Sequence, residues 1–364
     1  MQKIIHLVAG ARPNFMKIAP LWHALQNEDW CRPVIIHTGQ HYDERMSAHF
    51  FQDLGLPQPD HNLGVGSGTH ARQTADIMIG YETICLERRP DWVVVVGDVN
   101  STLAATLVAK KLLLPVAHLE AGLRSGDRSM PEEINRLMTD AVSDLLWTPS
   151  PDADENLQRE GVPASRIERV GNIMIDAYEL QRHSIEITDI SRFCPLPDRS
   201  FGVATIHRPS NVDSPEVLST IVEAFEAIQS QLPLVFPVHP RTHAALTSNG
   251  QWQRLKDAGL ILIEPLGYVE FMALVTRARL VITDSGGVQE ETSYLGIPCF
   301  TLRDNTERPI TLSEGSTCLV RPERLVDAVR DARPVSPRSI ELWDGRAAAR
   351  VAASLQRHAE AGAL

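Results

Sequence analysis

Short apolar runs alternate with amphipathic segments along the chain. The first run, KIIHLVA at 3–9, is followed by apolar residues at helical spacing in ARPNFMKIAPLWHALQ. The run WVVVV at 92–96 is continuous in apolar, mainly β-branched residues, as in a strand that is buried on both faces. A further helix is predicted over 43–55. Alternation of strands and helices over the first ~170 residues predicts a parallel, doubly wound sheet.

The same rhythm starts again in the second half. After 183–200, which has no clear period and is expected to be connecting structure, strands are predicted in FGVATIH, LVFPVHP, LILIEP, LVITDSGG and IPCFTL. The sequence therefore predicts an α/β fold of two doubly wound, Rossmann-like domains, over 1–170 and 171–364, which face each other across a cleft. A final helix over 345–361 is free to pack back on the first domain.

Length and composition narrow the possible functions. A chain of 364 residues exceeds the size at which single cores stop growing, which favours two domains. Its net charge of −11 argues against a nucleic-acid-binding surface. No apolar run approaches the length of a membrane span. The five cysteines are scattered and lack C-x-x-C spacing, so we expect a cytoplasmic protein with reduced thiols.

The stretch Leu280–Tyr294, LVITDSGGVQEETSY, predicts a strand, a glycine turn at 285–287 and a helix. Such a turn exposes unpaired backbone N–H groups at a helix N-terminus, where the helix dipole favours an anion. Glu290 and Glu291, expected in the first helical turn, would accept hydrogen bonds from sugar hydroxyls. The alternative is an ordinary helix whose acidic residues only complement the dipole.

Polar residues follow the other predicted strands, and ligands of open parallel sheets bind beyond the carboxyl ends of strands. The basic residues suit a nucleotide diphosphate, and the carboxylates suit proton transfer. No metal is expected, because the carboxylates lie on different elements and no histidine pair has ligand spacing. The residues in question are Arg12, Asn14, Lys17, Gln40, His41, Asp98, Asn100, Glu120, Arg124, His207, Arg208, His239 and Arg241.

The basic residues also have structural interpretations. Arg12 and Lys17 are either solvated cations or partners of an anionic ligand, which we favour because cations at a helix N-terminus oppose the dipole. His207 and His239 each end an apolar strand before a proline-containing turn. Either could be a hydrogen-bonded core histidine.

The carboxylates have alternatives as well. Asp98 either caps the following helix or acts in catalysis. Glu120 lies between apolar residues, where a carboxylate needs a partner, and Arg124 or His118 could form a structural ion pair with it. Glu132 ends the sequence SMPE, which has capping-box spacing.

Seven segments, taken together and in this order, resemble the bacterial non-hydrolysing UDP-N-acetylglucosamine 2-epimerase family over nearly the full chain. They are GARPNFMKIAPL, GDVNST, HLEAGLRSGDRSMPEEINR, TIHRP, PVHPRT, TDSGGVQEE and RDNTERP. The resemblance implies a fold of the glycosyltransferase-B type, a UDP-sugar substrate in the interdomain cleft and a homodimer. It also implies interconversion of UDP-N-acetylglucosamine and UDP-N-acetylmannosamine through 2-acetamidoglucal, with no cofactor and no metal.

The resemblance also implies roles for individual residues. The acid/base carboxylates would be Asp98, Glu120 and Glu132, and His207 would assist the departing UDP. Glu291 would bind the ribose. The residues expected to hold UDP are Arg12, Lys17, His239, Arg241, Ser285, Gly286, Gly287, Glu291 and Arg308.

Two regions depart from the family pattern or extend it. Asn14 stands where the family usually has an acidic residue after Gly-x-Arg-Pro. In some members, the region after the second strand helps to hold a second, activating UDP-N-acetylglucosamine. Gln40, His41 and Arg72 could serve that purpose here.

Other functions remain open from the sequence. The enzyme alternatives are C2 epimerisation of UDP-2,3-diacetamido-2,3-dideoxyglucuronate and a hydrolysing relative that releases N-acetylmannosamine and UDP. A sugar transferase would need an acceptor site, often with a membrane-facing patch, and no such helix is evident. A non-catalytic nucleotide-sugar binder would not need the three carboxylates.

Overall fold

A computed structural model describes residues 2–39, 51, 53–332 and 340–361. The chain forms two compact units. The first contains Met1–Leu180 together with Glu341–Leu364, and the second contains Gln181–Ile340. The first unit therefore extends past the division predicted at 170/171, to Leu180, and it also includes the final segment, whose helix was expected to be free to pack back on it.

The described residues of the first unit form a seven-stranded sheet in the order β3-β2-β1-β4-β5-β6-β7, with parallel pairings. The strands are β1 (Lys3–Ala9), β2 (Cys31–His37), β3 (His61–Asn62), β4 (Trp92–Val96), β5 (Val116–Leu119), β6 (Leu145–Thr148) and β7 (Ile167–Arg169). All five residues of β4 are buried, as its continuous apolar pattern predicts.

Helices connect these strands, which gives the predicted doubly wound arrangement. They are α1 (Arg12–Leu25), α2 (His70–Glu87), α3 (Asn100–Lys111), α4 (Pro131–Val142), α5 (Pro151–Arg159) and α6 (Ile173–Ile187). The end of α6 occupies the start of the segment predicted as connecting structure. The helix predicted over 43–55 lies largely outside the described residues.

The second unit repeats the arrangement with six described strands in the order β10-β9-β8-β11-β12-β13. The strands are β8 (Gly202–Thr205), β9 (Leu234–Pro237), β10 (Ile261–Ile263), β11 (Leu280–Thr283), β12 (Cys299–Thr301) and β13 (Thr317–Leu319). The helices are α7 (Pro209–Val212), α8 (Pro215–Gln229), α9 (Pro240–Ser248), α10 (Gln251–Asp257), α11 (Tyr268–Arg277), α12 (Gly286–Leu295), α13 (Ile310–Ser313) and α14 (Leu325–Arg330). The short strands β3 and β13 were not predicted from the sequence.

Each sheet has a point at which the strand order reverses, between β1 and β4 in the first unit and between β8 and β11 in the second. Loops at such a point run to opposite faces of the sheet and leave a crevice at its carboxyl edge. The polar residues singled out in the sequence follow these strands.

The last helix, α15 (Ala347–Glu360), packs against α1 of the first unit. Its first turn is capped by Asp176 on α6, which accepts hydrogen bonds from the N–H groups of Ala347 at 3.0 Å and Ala348 at 2.8 Å. Farther along α15, Ser354 accepts a 2.9 Å hydrogen bond from the Trp147 indole. The first unit is therefore completed by the end of the chain.

Replacing Asp176 by alanine should lower the free energy of unfolding by about 1–2 kcal/mol, because two buried N–H groups lose their acceptor. Urea unfolding measures the loss, and hydrogen exchange should locate it over 347–360. Ser214→Ala is the matched control, since it removes the side-chain cap of α8 in the second unit. Equal exchange over 347–360 in the two variants would contradict the assignment.

Candidate active site

A buried ion pair joins the first helix to the end of β5. Lys17 on α1 pairs through its Nζ with Glu120 Oε2, and the residues are 8% and 5% exposed. Burying either charge alone would cost free energy, because the charge would lose its hydration. The opposite charge of the partner offsets this cost at this position. Lys17 therefore has an anionic partner within the protein. The partners considered from the sequence, Arg124 and His118, both contact Asp140 instead.

Glu120 also has an unusual backbone conformation. Its φ is +76°, in the left-handed region that residues other than glycine seldom adopt. The N–H groups of Glu120 and Ala121 both donate to the carbonyl oxygen of Trp147, at 3.1 and 3.0 Å, which holds the turn against β6. Such conformations cluster at functional sites, where the surrounding structure keeps them in place.

Asp98 follows β4, the strand next to β5, and the register pairs Val96 with Leu119. It does not cap the next helix, whose N-cap is Val99 without a side-chain hydrogen bond. Its carboxylate instead accepts hydrogen bonds from Arg136 on α4, at 3.1 Å from Nε and 2.5 Å from Nη2. Asp98 is thus an ionised group held by a guanidinium.

Glu132 and its neighbour Glu133 have different environments. Glu132 is exposed in the first turn of α4, and the capping box considered from the sequence does not form, because the N-cap is Met130. Glu133 is buried and accepts hydrogen bonds from the N–H groups of Ser125 at 3.0 Å and Gly126 at 2.9 Å. Burial alone would raise the pKa of Glu133, but these hydrogen bonds and Arg136 hold it below its usual value.

Sequence reasoning missed Glu133, Arg136 and Asp140 as members of this region. The spacing of Glu133 and Arg136, three residues apart on a helix, was the available signal. Their ion pair measures 2.6 Å.

Asn14 is buried where α1 begins. Its Oδ1 accepts hydrogen bonds from the N–H groups of Gly10 at 3.3 Å and Ala11 at 3.0 Å, and its Nδ2 donates to Val96 O at 3.1 Å. An acidic side chain could accept the first two hydrogen bonds but could not donate the third. The asparagine thus suits the carbonyl that it contacts. Arg12, at the first position of the same helix, is exposed.

Of the three residues considered for a second nucleotide-sugar site, Gln40 and His41 lie outside the described residues. Arg72 is exposed on α2, where its Nε forms a 2.7 Å ion pair with Asp76 four residues later.

The second unit has a cavity of about 310 Å³ at the carboxyl edge of its sheet. Its walls are mostly apolar, with two histidines and two hydroxyl groups among them. The lining residues are Thr205, His207, Pro237, His239, Pro265, Leu266, Phe271, Ser285 and Val288. An apolar pocket with a few polar groups is typical of small-molecule sites.

His207 and His239 have ring centres 5.5 Å apart. His207 Nδ1 lies 3.0 Å from the buried carboxylate of Asp284, which also accepts the His207 backbone N–H. Burial would raise the pKa of Asp284, but His207 and its other donors hold it below its usual value. His207 Nδ1 therefore donates to an ionised carboxylate, which leaves Nε2 as the other functional atom of the ring.

His239 is the N-cap of α9, where its Nδ1 accepts the N–H of Arg241 at 3.2 Å. Burial, followed by the charge of His207, lowers the pKa of His239. The Arg241 side chain is exposed and paired with Asp213, 3.0 Å from its Nε.

The glycine turn before α12 is crowded on one side only. A Cβ on Gly286 would lie 2.7 Å from Arg308 Nη1 and 2.9 Å from Glu307 Oε1, whereas a Cβ on Gly287 would meet nothing within 4 Å. Ser285 is the N-cap of α12 and makes no side-chain cap. The first N–H groups of this helix thus lie beside a guanidinium, as anion binding requires.

The two acidic residues of α12 lie in its second turn, not in the first as predicted, because the helix begins at Gly286. Glu290 pairs with Arg308, 2.8 Å from its Nε. Glu291 is buried, and its Oε1 has no hydrogen-bond donor among the described residues. Burial raises the pKa of Glu291 to about 8, against the opposing effect of a hydrogen bond from Tyr268 and with the help of the neighbouring Glu290 carboxylate.

A model of the UDP-N-acetylglucosamine 2-epimerase family matches residues 23–356. The chain belongs to this family. A UDP-N-acetylglucosamine 2-epimerase of Methanocaldococcus jannaschii is 46% identical over 336 residues, which make up 89% of this chain and 91% of that protein. A UDP-2,3-diacetamido-2,3-dideoxy-D-glucuronate 2-epimerase of Pseudomonas aeruginosa is 41% identical over 335 residues, covering 90% of this chain and 91% of that protein.

The crystal structure of the M. jannaschii UDP-GlcNAc 2-epimerase in complex with UDP-GlcNAc and UDP is similar at a TM-score of 0.88 and 42% identity. The match covers 97% of this chain and 99% of that chain. The predicted fold class, α/β with two Rossmann-like domains, is confirmed. The motifs suggested a bacterial family, but these relatives come from an archaeon and a bacterium. Membership of the epimerase family is therefore shown, and restriction of that family to bacteria is not.

Among the described residues of this epimerase-family chain, no group of three or more His, Cys, Asp and Glu side chains is arranged to hold a metal ion. Within the same part of the chain, no helix combines the length and the apolar character that a bilayer span requires.

Replacing Glu291 by glutamine should stabilise the protein without ligand at alkaline pH. The pKa of Glu291 is about 8 in the folded chain and 4.5 as an ordinary side chain, so folding becomes less favourable as pH rises between these values. The variant's advantage should be absent near pH 4 and grow to at most about 5 kcal/mol above pH 8. Thermal unfolding across this range measures it. The exposed Glu264→Gln is the control, and a difference independent of pH would contradict the prediction.

Proposed function

We propose that this protein interconverts UDP-N-acetylglucosamine and UDP-N-acetylmannosamine without net hydrolysis. The relatives named for this reaction support the proposal. The observation that carries it is the pair of carboxylates after neighbouring strands, each balanced by its own cation: Asp98 by Arg136 and Glu120 by Lys17. A pure binding module would have no use for this arrangement.

The chemistry calls for carboxylates of this kind. In the forward reaction the C2–H and C1–O bonds break, a C1=C2 double bond forms and UDP leaves, giving 2-acetamidoglucal. UDP then adds back to C1 while a proton arrives at the opposite face of C2. One group must accept a proton on one face and another must donate on the other, and Asp98, Glu120 and Glu132 are the proposed set. Because C2–H is weakly acidic, stabilisation of the leaving UDP must be strong.

We assign most of the contacts to UDP to residues of the second unit. Phe271 and the other apolar walls of the 310 Å³ cavity suit a uracil ring. The N–H groups at Gly286 and Gly287, with Arg308 beside them, suit the diphosphate. The open Oε1 of Glu291 suits a ribose hydroxyl, and His207 Nε2 is the proposed donor to departing UDP.

The remaining assignments come from the family resemblance. Arg12, Lys17, His239 and Arg241 are proposed to help hold UDP, and Ser285 to contribute through its backbone. Gln40, His41 and Arg72 are kept as a proposed site for an activating UDP-N-acetylglucosamine. Rates that stay hyperbolic in substrate, and a reverse reaction indifferent to added UDP-N-acetylglucosamine, would count against that site.

A second candidate substrate is UDP-2,3-diacetamido-2,3-dideoxyglucuronate, because one relative at 41% identity is named for it. The same carbon would be epimerised, and only contacts to the C3 and C6 substituents would differ. The free cysteines fit a reducing, cytoplasmic environment for either reaction.

Proton NMR in deuterated water should show deuterium at C2 and a growing UDP-N-acetylmannosamine signal when the purified enzyme receives UDP-N-acetylglucosamine. Asp98→Asn and Glu120→Gln should each slow this exchange by at least ~100-fold, because general acid–base catalysis supplies about that factor. Release of free sugar and UDP would instead identify a hydrolysing enzyme. An unchanged spectrum would move the proposal to the diacetamido substrate. Normal turnover by both variants would refute the catalytic assignment.

We also propose a homodimer formed through α4 and α2. Ile134, Met138 and Val142 follow at helical spacing on α4 and are 39%, 45% and 37% exposed. A cavity of about 600 Å³, lined by Ile134 and by Met78 of α2, lies beside this stripe. Clustered exposed apolar side chains of this kind mark interaction surfaces. In a twofold homodimer the same surface of each copy contacts its counterpart in the other copy.

Met138→Glu should convert the dimer to a monomer, because it places a charge in the centre of the apolar stripe. Light scattering coupled to size-exclusion chromatography measures the mass. Ile187→Glu, at an exposed position outside α4 and α2, is the matched control and should leave the dimer intact. A monomeric unmodified protein, or a dimer in the Met138 variant, would exclude this face.

A further inference from the structure

The peptide segment that carries Asp98 is held at three separate atoms. The carbonyl oxygen of Gly97 accepts a hydrogen bond from His118 Nε2 at 2.8 Å. The carbonyl oxygen of Asp98 accepts one from Asn135 Nδ2 at 2.9 Å. The carboxylate itself is held by two nitrogens of Arg136. Main chain and side chain are therefore fixed independently.

His118 is itself held in place by a buried carboxylate. Its Nδ1 lies 2.6 Å from Asp140 Oδ1, and both side chains are essentially inaccessible to solvent. Burial would raise the pKa of Asp140, but His118 and Arg124 outweigh burial and hold the pKa below its usual value. The ring is thus held at both nitrogens, by the Asp140 carboxylate at Nδ1 and by the Gly97 carbonyl at Nε2, so its orientation is fixed at both ends.

Arg136 is held by a second carboxylate, on the side of its guanidinium away from Asp98. Its Nη1 donates to Glu133 Oε2 at 2.6 Å, while Glu133 is itself held by the backbone N–H groups of Ser125 and Gly126. The guanidinium therefore lies between two carboxylates, one anchored to a loop and one at the proposed catalytic position. Because Nε and Nη2 both donate to Oδ2 of Asp98 while Nη1 donates to Glu133, the planar guanidinium is held on two sides and fixes the direction of its contact with Asp98.

Four of the five contributing side chains, Glu133, Asn135, Arg136 and Asp140, belong to α4, and the fifth is His118 of β5. We propose that Arg136, Asn135 and the Asp140–His118 pair are positioning groups of α4 and β5, which set the orientation of Asp98 and balance its charge without themselves touching the substrate. This inference rests on the proposed function, because it presumes that Asp98 exchanges a proton with the sugar.

Stability alone does not account for so many buried charges. Buried ion pairs contribute little net stability compared with apolar side chains of similar volume. The backbone after the adjacent strand also needs external support, because Glu120 is not a glycine and has φ +76°. A group that must approach a carbon-bound hydrogen gains from such support, since a displacement of about 1 Å reduces rates by about 100-fold.

Arg136→Met should lower kcat about 100-fold while the Kd for UDP stays within about twofold, because the proposed UDP cavity belongs to the second unit. The acidic limb of the kcat/KM profile should move to higher pH, since Asp98 loses its cation. The other charged or titratable groups near it are Glu133 on α4, His118 on β5 and the Lys17–Glu120 pair beside Gly97. Arg136→Lys keeps the charge but not the planar fork, so it should recover about tenfold.

Asn135→Ser is a milder test that does not disturb an ion pair. It removes the hydrogen bond to Asp98 O and should lower kcat about fivefold to tenfold.

Lys110→Met is the matched control for Arg136→Met, because Lys110 and Asp144 form a partly buried 2.6 Å ion pair at the amino end of β5. That variant should keep the kcat of the unmodified enzyme even if it unfolds at a lower temperature.

Hydrogen exchange over 97–100 provides a readout that needs no activity. It should rise in Arg136→Met and stay unchanged in Lys110→Met. If the unmodified protein were inactive on both UDP-sugars, the proposed function would be refuted. The hydrogen-exchange result would still decide whether α4 holds the segment 97–100. Three results would each overturn the positioning role. They are a kcat and pH profile in Arg136→Met that match the unmodified enzyme, unchanged exchange over 97–100 in that variant, and a UDP affinity that falls in step with kcat.

Discussion

Electroneutrality at the carboxyl edge of the first sheet is the constraint on which the rest of the site depends. The carboxyl ends of parallel strands lie at one edge of the sheet, so carboxylates that follow neighbouring strands are brought together there, Glu120 buried and Asp98 partly exposed. Each then needs a cation from a different element. Lys17 comes from α1 and Arg136 from α4, and these two helices are thereby tied to the strand ends that they serve.

The proposed UDP site of the second unit poses the opposite problem, since it would have to attract an anion. The groups proposed for this are the backbone N–H groups at the start of α12 and Arg308, whose guanidinium contacts both Glu290 and Glu307. The guanidinium is thus fixed in place before any ligand arrives. Balanced but rigid charge favours selectivity over indiscriminate anion binding.

Hydrophobic periodicity was sufficient to predict the fold, because strands buried on both faces and amphipathic helices leave distinct patterns. The position of most site residues at strand ends followed from the same reasoning. Ion-pair partners were not predictable, since Lys17 and Glu120 are separated by more than a hundred positions. Which of Glu132 and Glu133 is buried depends on how the first turn of α4 is rotated about the helix axis. The positions of Glu290 and Glu291 differ from the prediction because α12 begins two residues earlier than expected. The positive φ of Glu120 leaves no signal in composition or spacing.

The capping of α15 by Asp176 has a consequence for how the chain is made. The seven described strands of the first unit leave the ribosome before the second unit is synthesised, yet the helix that covers α1 emerges only after that unit. The second unit is contiguous and can mature while synthesis continues. The unit made first is therefore the one finished last, and during that interval the surface of α1 that α15 will cover is open to chaperones.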